Sequence, residues 1–229
     1  EILFRTKLSE NLFEGLSPWM QKLPGGLIHV NVVGCAIFAA ISGSSAATVA
    51  TVGKMSIPEL RKRNYPEKIL LGSLAGSGTL GLLIPPSIIL IIYGVTVQES
   101  IAKLFIAGIF PGIMIAIIFM TYVVIWSLMN RNQMPILTEE IPFIEKIKKS
   151  GKLIPVILLI VSVIGSIYSG VATATEAASL GVVGALVLSF FQKSLTKESF
   201  SKSLLGATKT SCMIAVSYTH LTLPTKRIV

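Results

Sequence analysis

Thirty-one consecutive residues, Leu23 to Gly53, carry no charge, and a lysine bounds them at each end. As a single helix they would extend about 46 Å, well beyond a hydrocarbon core of about 30 Å. Both flanks are basic: Arg5, Lys7 and Lys22 before, Lys54 and Arg61 after. Lysine and arginine collect on the cytoplasmic side, so one crossing would leave one cluster on the wrong side. The centre reads Ile41-Ser42-Gly43-Ser44-Ser45-Ala46, small and helix-breaking. A re-entrant helical hairpin satisfies length, charge and composition together. Each arm has about 15 residues, about 22 Å, and the tip passes the midplane. Irregular backbone at that depth must be buried in protein or line a wet cavity.

Four more uncharged runs follow: Ile69–Gln98, Leu104–Asn130, Leu153–Thr175 and Ala177–Gln192, with a last one starting near Leu204. About 20 apolar residues span a bilayer, and several of these qualify. Only 14% of the 229 residues are charged and 52% are hydrophobic, where soluble domains carry about 25% charge. The net charge of +9 comes from 20 basic residues against 11 acids, all glutamate. These charges sit between apolar runs, which points to membrane orientation rather than to nucleic acid. The loop Lys54–Lys68 is expected in the cytoplasm, the run to Gln98 crosses outward, and Leu104–Asn130 returns. Arg131–Lys152 is cytoplasmic again, and the last two runs go out and back to Lys193, Lys197 and Lys202.

The expected fold is all-α: a polytopic membrane protein with a re-entrant hairpin (23–53) and a broken transmembrane helix (68–98). These form half of a transport domain at 23–100. A cytoplasmic or interfacial amphipathic segment occupies 1–22, a transmembrane helix 101–130, an amphipathic cytoplasmic connector 131–151 and further transmembrane helices 152–217. The connector suits a helix lying on the membrane or on a partner, or a solvated link. Residues 218–229 change character abruptly and are expected to be non-native or disordered.

The second run is broken by Leu83-Ile84-Pro85-Pro86-Ser87, preceded by Gly76, Gly78 and Gly81. Proline removes a backbone donor and clashes with the preceding turn. A plain proline kink is the simpler alternative to a full interruption. Two breaks at mid-membrane suit a secondary transporter, where half-helix C-termini hold cations and N-termini face anions. Carbonyls near Ser42-Gly43 and Leu83-Ile84 and hydroxyls of Ser42, Ser44, Ser45, Thr48 and Thr79 form the expected cation region. Amides near Ser44, Ser45, Pro86 and Ser87 are the expected substrate-facing groups. A proton relay needs an acid or histidine inside the membrane. The chain lacks Asp, Glu176 lies at the outer end of a span, and His29 reads as a packed or interfacial residue. Neutral oxygens therefore favour Na+ as the coupling ion, with no other metal and no cofactor. Cys35 and Cys212 lack metal-ligand spacing and are expected to be buried packing thiols. No base stands within reach of the tip serines and no nucleotide-binding loop occurs, so an enzyme is not expected.

The segments LPGGLIHVNV (23–32), FAAISGSSAATVATVG (38–53), GTLGLLIPPSIILIIYG (78–94), KLFIAGIFPG (103–112) and SGVATATEAASLG (169–181) resemble one family. It is the large membrane (M) subunit of tripartite ATP-independent periplasmic (TRAP) transporters. The resemblance implies an elevator-type, sodium-driven importer of organic anions, of the C4-dicarboxylate or sialic and sugar-acid type, in the bacterial inner membrane. It also implies two partners, a small membrane (Q-type) subunit and a periplasmic binding protein that delivers the substrate. Inverted repeats follow from it as well, of which the first hairpin and broken helix and part of the second repeat (transmembrane helices within 152–217) are present, with truncation expected at both ends. By matching position, Ser42–Ser45, Gly78, Thr79 and Pro85 correspond to the first sodium region. A two-component sodium–dicarboxylate carrier of similar fold and a non-transporting membrane scaffold are the alternatives.

Overall fold

A computed structural model describes residues 2, 8–135 and 142–222 of the chain. The described residues form eleven α-helices. They are α1 (Leu8–Met20), α2 (Ile28–Ser42), α3 (Ser45–Lys62), α4 (Glu67–Gly78), α5 (Leu80–Leu83) and α6 (Ile88–Val97), then α7 (Ile101–Met129), α8 (Phe143–Ser150), α9 (Ile154–Tyr168), α10 (Ala174–Phe191) and α11 (Lys197–Thr222). Three stretches are long and apolar enough to cross a membrane: Glu67–Val97, Ile101–Met129 and Ala174–Phe191. α8 and α9 make a fourth candidate, bent by 51°. The all-α membrane fold expected from the sequence is the fold observed.

α2 is the centre of the packing. It lies against α1, α3, α4, α5 and α7 and buries Ile28, Val30, Val32, Cys35, Phe38 and Ala39. In a bilayer, apolar packing alone gives little drive between helices, so close approach and interhelical hydrogen bonds matter more. Both occur here. Asn31 Nδ2 donates to Leu70 O (3.2 Å) and Ser73 Oγ (3.0 Å), and Ser77 Oγ donates back to Asn31 O (3.4 Å). α4 is thereby fixed along α2. At the base of the hairpin, Leu27 N donates to Tyr65 Oη (3.0 Å). His29 is fully buried with Nε2 2.7 Å from Pro24 O, a packed residue as expected.

The second arm departs from the expected boundary. α3 continues through Lys54 to Lys62, because one exposed lysine on a helix surface does not end a helix. Cys35 is buried as expected, but Cys212 is exposed, as are most of the described side chains of α11. α11 also runs on without a break to Thr222, so the change of character at Ser217 does not interrupt the helix. Of the connector's apolar residues, Ile136, Leu137 and Ile141 lie outside the described residues. Phe143, Ile144 and Ile147 lie on α8 and are exposed.

Candidate functional site

The hairpin reverses over two residues. α2 ends at Ser42, and Gly43 takes the left-handed conformation (φ 58°, ψ 15°), with its N–H bonded to Ala39 O at 3.0 Å. Glycine is the residue that enters this region without penalty. Ser44 is extended (φ −138°, ψ 125°) and α3 begins at Ser45. Space excludes a side chain as well: a Cβ on Gly43 would stand 2.5 Å from Pro86 O.

The second interruption follows from its two prolines. Ile84 precedes Pro85 and is extended (ψ 121°), as the residue before proline must be to avoid its ring. Ser87 is also extended (ψ 131°) and α6 starts at Ile88. The chain is interrupted here rather than merely kinked. A smaller break at Thr79 separates α4 from α5. Ser87 Oγ donates to Leu82 O at 2.6 Å, closing the gap across the prolines.

The two interruptions meet. Ile88 N donates to Gly43 O at 3.2 Å, so the first amide of α6 is bonded to the carbonyl that ends α2. α5 lies over the start of α3: a Cβ on Gly81 would stand 2.9 Å from Ser44 C and Ser45 N. One turn earlier, Gly78 faces Val49 and has Ser45 O within 3.8 Å of its Cβ position. α7 closes the far side, with Gly108 against Leu83 O (2.7 Å from the Cβ position) and Gly112 against Ile84 Cγ1 (2.9 Å).

The polar groups at the tip are neutral oxygens. Thr48 Oγ1 donates to Ser44 O (2.8 Å) and accepts from Ser42 Oγ (2.8 Å). Ser42 Oγ also lies 3.3 Å from Ser44 O. Ser45 Oγ is buried without a hydrogen-bond partner. A buried hydroxyl left unbonded is costly, so this atom is where a bound group would be welcome. Among the described residues no cluster of three or more His, Cys, Asp or Glu could hold a metal ion. The oxygens present suit a hard, singly charged cation, and helix C-termini supply partial negative charge.

The expected site residues are thus divided. Ser42, Gly43, Ser44, Ser45, Gly78, Pro86 and the buried Thr48 and Ser87 come together around the tip. Pro85 is buried beside them, and Ile84 packs on α7. Thr79 does not join them: its side chain is exposed and bonds to Gly76 O of its own helix at 2.7 Å. Two contributors, Gly108 and Asn31, escaped sequence reasoning, and a third, Gly81, was read only as part of the break. Gly81 and Gly108 are the close-approach positions, signalled only by small residues at helical spacing to Gly78 and Gly112. Asn31 was signalled by being an amide inside an uncharged apolar run.

The family profile described as "Tripartite ATP-independent periplasmic transporter, DctM component" matches residues 1–221. The chain belongs to this family. It is 38% identical over 191 residues to the C4-dicarboxylate TRAP transporter large permease protein DctM of Pseudomonas aeruginosa, covering 83% of this chain and 44% of that protein. Over 212 residues it is 34% identical to the sialic acid TRAP transporter permease protein SiaT of Haemophilus influenzae, covering 91% and 34%. Similarity of 34% over 213 residues extends to the isethionate TRAP transporter permease protein DctMQ of Oleidesulfovibrio alaskensis, covering 91% and 33%. The chain therefore spans less than half the length of these relatives. The DctM component is a transporter permease, not an enzyme.

Proposed function

We propose that the chain is the first repeat and part of the second of a TRAP permease that takes up an organic anion across the bacterial inner membrane, coupled to Na+. The multi-pass topology alternates about the basic loops. The observation that carries this reading is the bond from Ile88 N to Gly43 O, which joins two helix interruptions around neutral oxygens. In that arrangement the carbonyls ending α2, the Ser44 carbonyl and the unpartnered Ser45 hydroxyl are the groups that would hold Na+. The first-turn amides of α3, and those of α6 that follow Ile88, present positive ends, suited to a carboxylate or sulfonate. The permeases it resembles are named for C4-dicarboxylates, sialic acid and isethionate, all anions at neutral pH.

The partners follow from the same reading: a small membrane subunit and a periplasmic binding protein. In an elevator-type cycle the hairpin and broken helix move together, and their direct bond fits such a unit. The test is uptake by the complete permease with its small subunit and binding protein in proteoliposomes. Replacing external Na+ with choline should abolish uptake, and Ser45→Ala should raise the Na+ concentration needed for half-maximal rate. Uptake indifferent to Na+ would overturn sodium coupling. A Ser45→Ala permease with unchanged Na+ dependence would remove that hydroxyl from the site.

A further inference from the structure

α8 carries too much charge to be the opening of the span that α9 continues. Glu145, Lys146, Lys148 and Lys149 make up half of its eight residues, and ionised side chains are expensive at the bilayer centre. Yet α8 cannot leave the membrane surface. Only the turn Gly151–Leu153 separates it from the apolar α9, with a bend of 51° between the two helices.

α8 is also held from behind. Trp19 Nε1 of α1 donates to Ser150 Oγ (2.7 Å), and Ser150 Oγ donates to Gly15 O (3.3 Å). The Phe143 ring meets Trp19 edge-on with centroids 6.1 Å apart, and Lys146 Nζ stands 5.9 Å from the Trp19 ring. α1 and α8 therefore form one platform. At 100° per residue, Phe143, Ile147 and Ile144 occupy one continuous arc, and they are 64%, 53% and 82% exposed. Lys148 borders that arc on one side, and Ser150 followed by Lys146 on the other. Glu145 and Lys149 pair with each other (3.3 Å) on the opposite side.

An exposed aliphatic arc between two lysines, fixed at the end of a membrane helix, has the form of an interfacial helix. We infer that the α1–α8 platform docks on acidic phospholipid in the leaflet that faces the Lys54–Lys68 loop. Ile144 and Ile147 enter the headgroup–acyl boundary, while Lys146 and Lys148 meet headgroup phosphates. α8 holds three lysines against one glutamate, and each lysine near an anionic surface favours docking about five-fold. The inference needs no transport activity and stands apart from the proposed function.

The test uses the complete permease with Ile144→Cys carrying an environment-sensitive fluorophore, with Cys212→Ser so that the exposed native thiol does not react. It is reconstituted in phosphatidylcholine vesicles with and without phosphatidylglycerol. The label should be quenched by lipid bearing a spin label near the headgroup and spared by aqueous acrylamide. Docking should strengthen with phosphatidylglycerol. Lys146→Gln and Lys148→Gln should each lower the docked-to-undocked ratio about five-fold. Quenching by acrylamide would place α8 in water. Protection from both quenchers would mean that another protein segment covers it. Equal docking in the two vesicles would remove the acidic lipid. Any of these three results overturns the inference.

Discussion

α2 and α9 are both 15-residue apolar helices, yet the fold treats them differently. α2 is enclosed by five other helices and buries nine residues, among them His29 and Asn31. α9 buries only Val156, Leu159 and Ile167, and leaves Ile154, Ile157, Leu158 and Val161 exposed. Hydrophobicity alone does not separate a helix built into a site from one that faces lipid. What separates them is polar content at helical spacing and the glycines that admit a neighbouring backbone. α2 ends in such a glycine, against a carbonyl of the other interruption. α9 is followed at Gly170 by a left-handed glycine whose Cβ would meet nothing within 4 Å.

The largest expected effect breaks that contrast directly. Gly43→Ala must bear the left-handed conformation, about 1–2 kcal/mol, and also a 2.5 Å approach to Pro86 O. It should abolish transport and lower the melting temperature of the complete permease. Gly170→Ala bears only the conformational cost, so it should be milder and leave transport intact. Equal effects of the two would mean that the tip-to-break contact is unimportant.

Next is Leu159→Ala, which empties the place where Leu159 packs over Gly184 on α10. It should cost about 2 kcal/mol in detergent unfolding, while Leu158→Ala, at a position 65% exposed, should cost under about 0.5 kcal/mol. Asn31→Ala removes the amide that bonds α4 and should cost about 1 kcal/mol. On α9, Ser162 Oγ bonds only to its own helix at Leu159 O, and Ser162→Ala should be near neutral. The smallest effect is expected for Glu67→Gln. Its exposed pair with Arg61 (2.6 Å) holds the guanidinium above its usual range, but exposed pairs contribute little and are screened by salt. Its melting temperature should match the parent within error.

These comparisons also mark what the sequence could carry. The tip was legible because Ser-Gly-Ser-Ser acts locally: the left-handed turn at Gly43 needs no knowledge of the rest of the fold. The break at Pro85-Pro86 was legible for the same reason. The facing of hydroxyls was not. Thr48 points inward and Thr79 outward, although both are threonines beside an interruption and each bonds a carbonyl one turn back. Whether a glycine is merely tolerated or admits a neighbour's backbone depends on which helix lies across it. That is why Gly108 went unread and Gly81 was read only as part of the break. Cys212 was misjudged likewise: apolar neighbours in sequence do not say whether α11 is covered, and most of its described side chains are exposed.

The central proposal is that the tip and the break form one cation-binding unit. The most direct measurement is the rate at which a small aqueous thiol reagent modifies Ser44→Cys in the complete, reconstituted permease, with and without Na+. The account predicts slow modification in Na+ and several-fold faster modification in choline, because the ion draws the tip carbonyls and Ser45 hydroxyl together over Gly81. Identical rates in the two salts would contradict it.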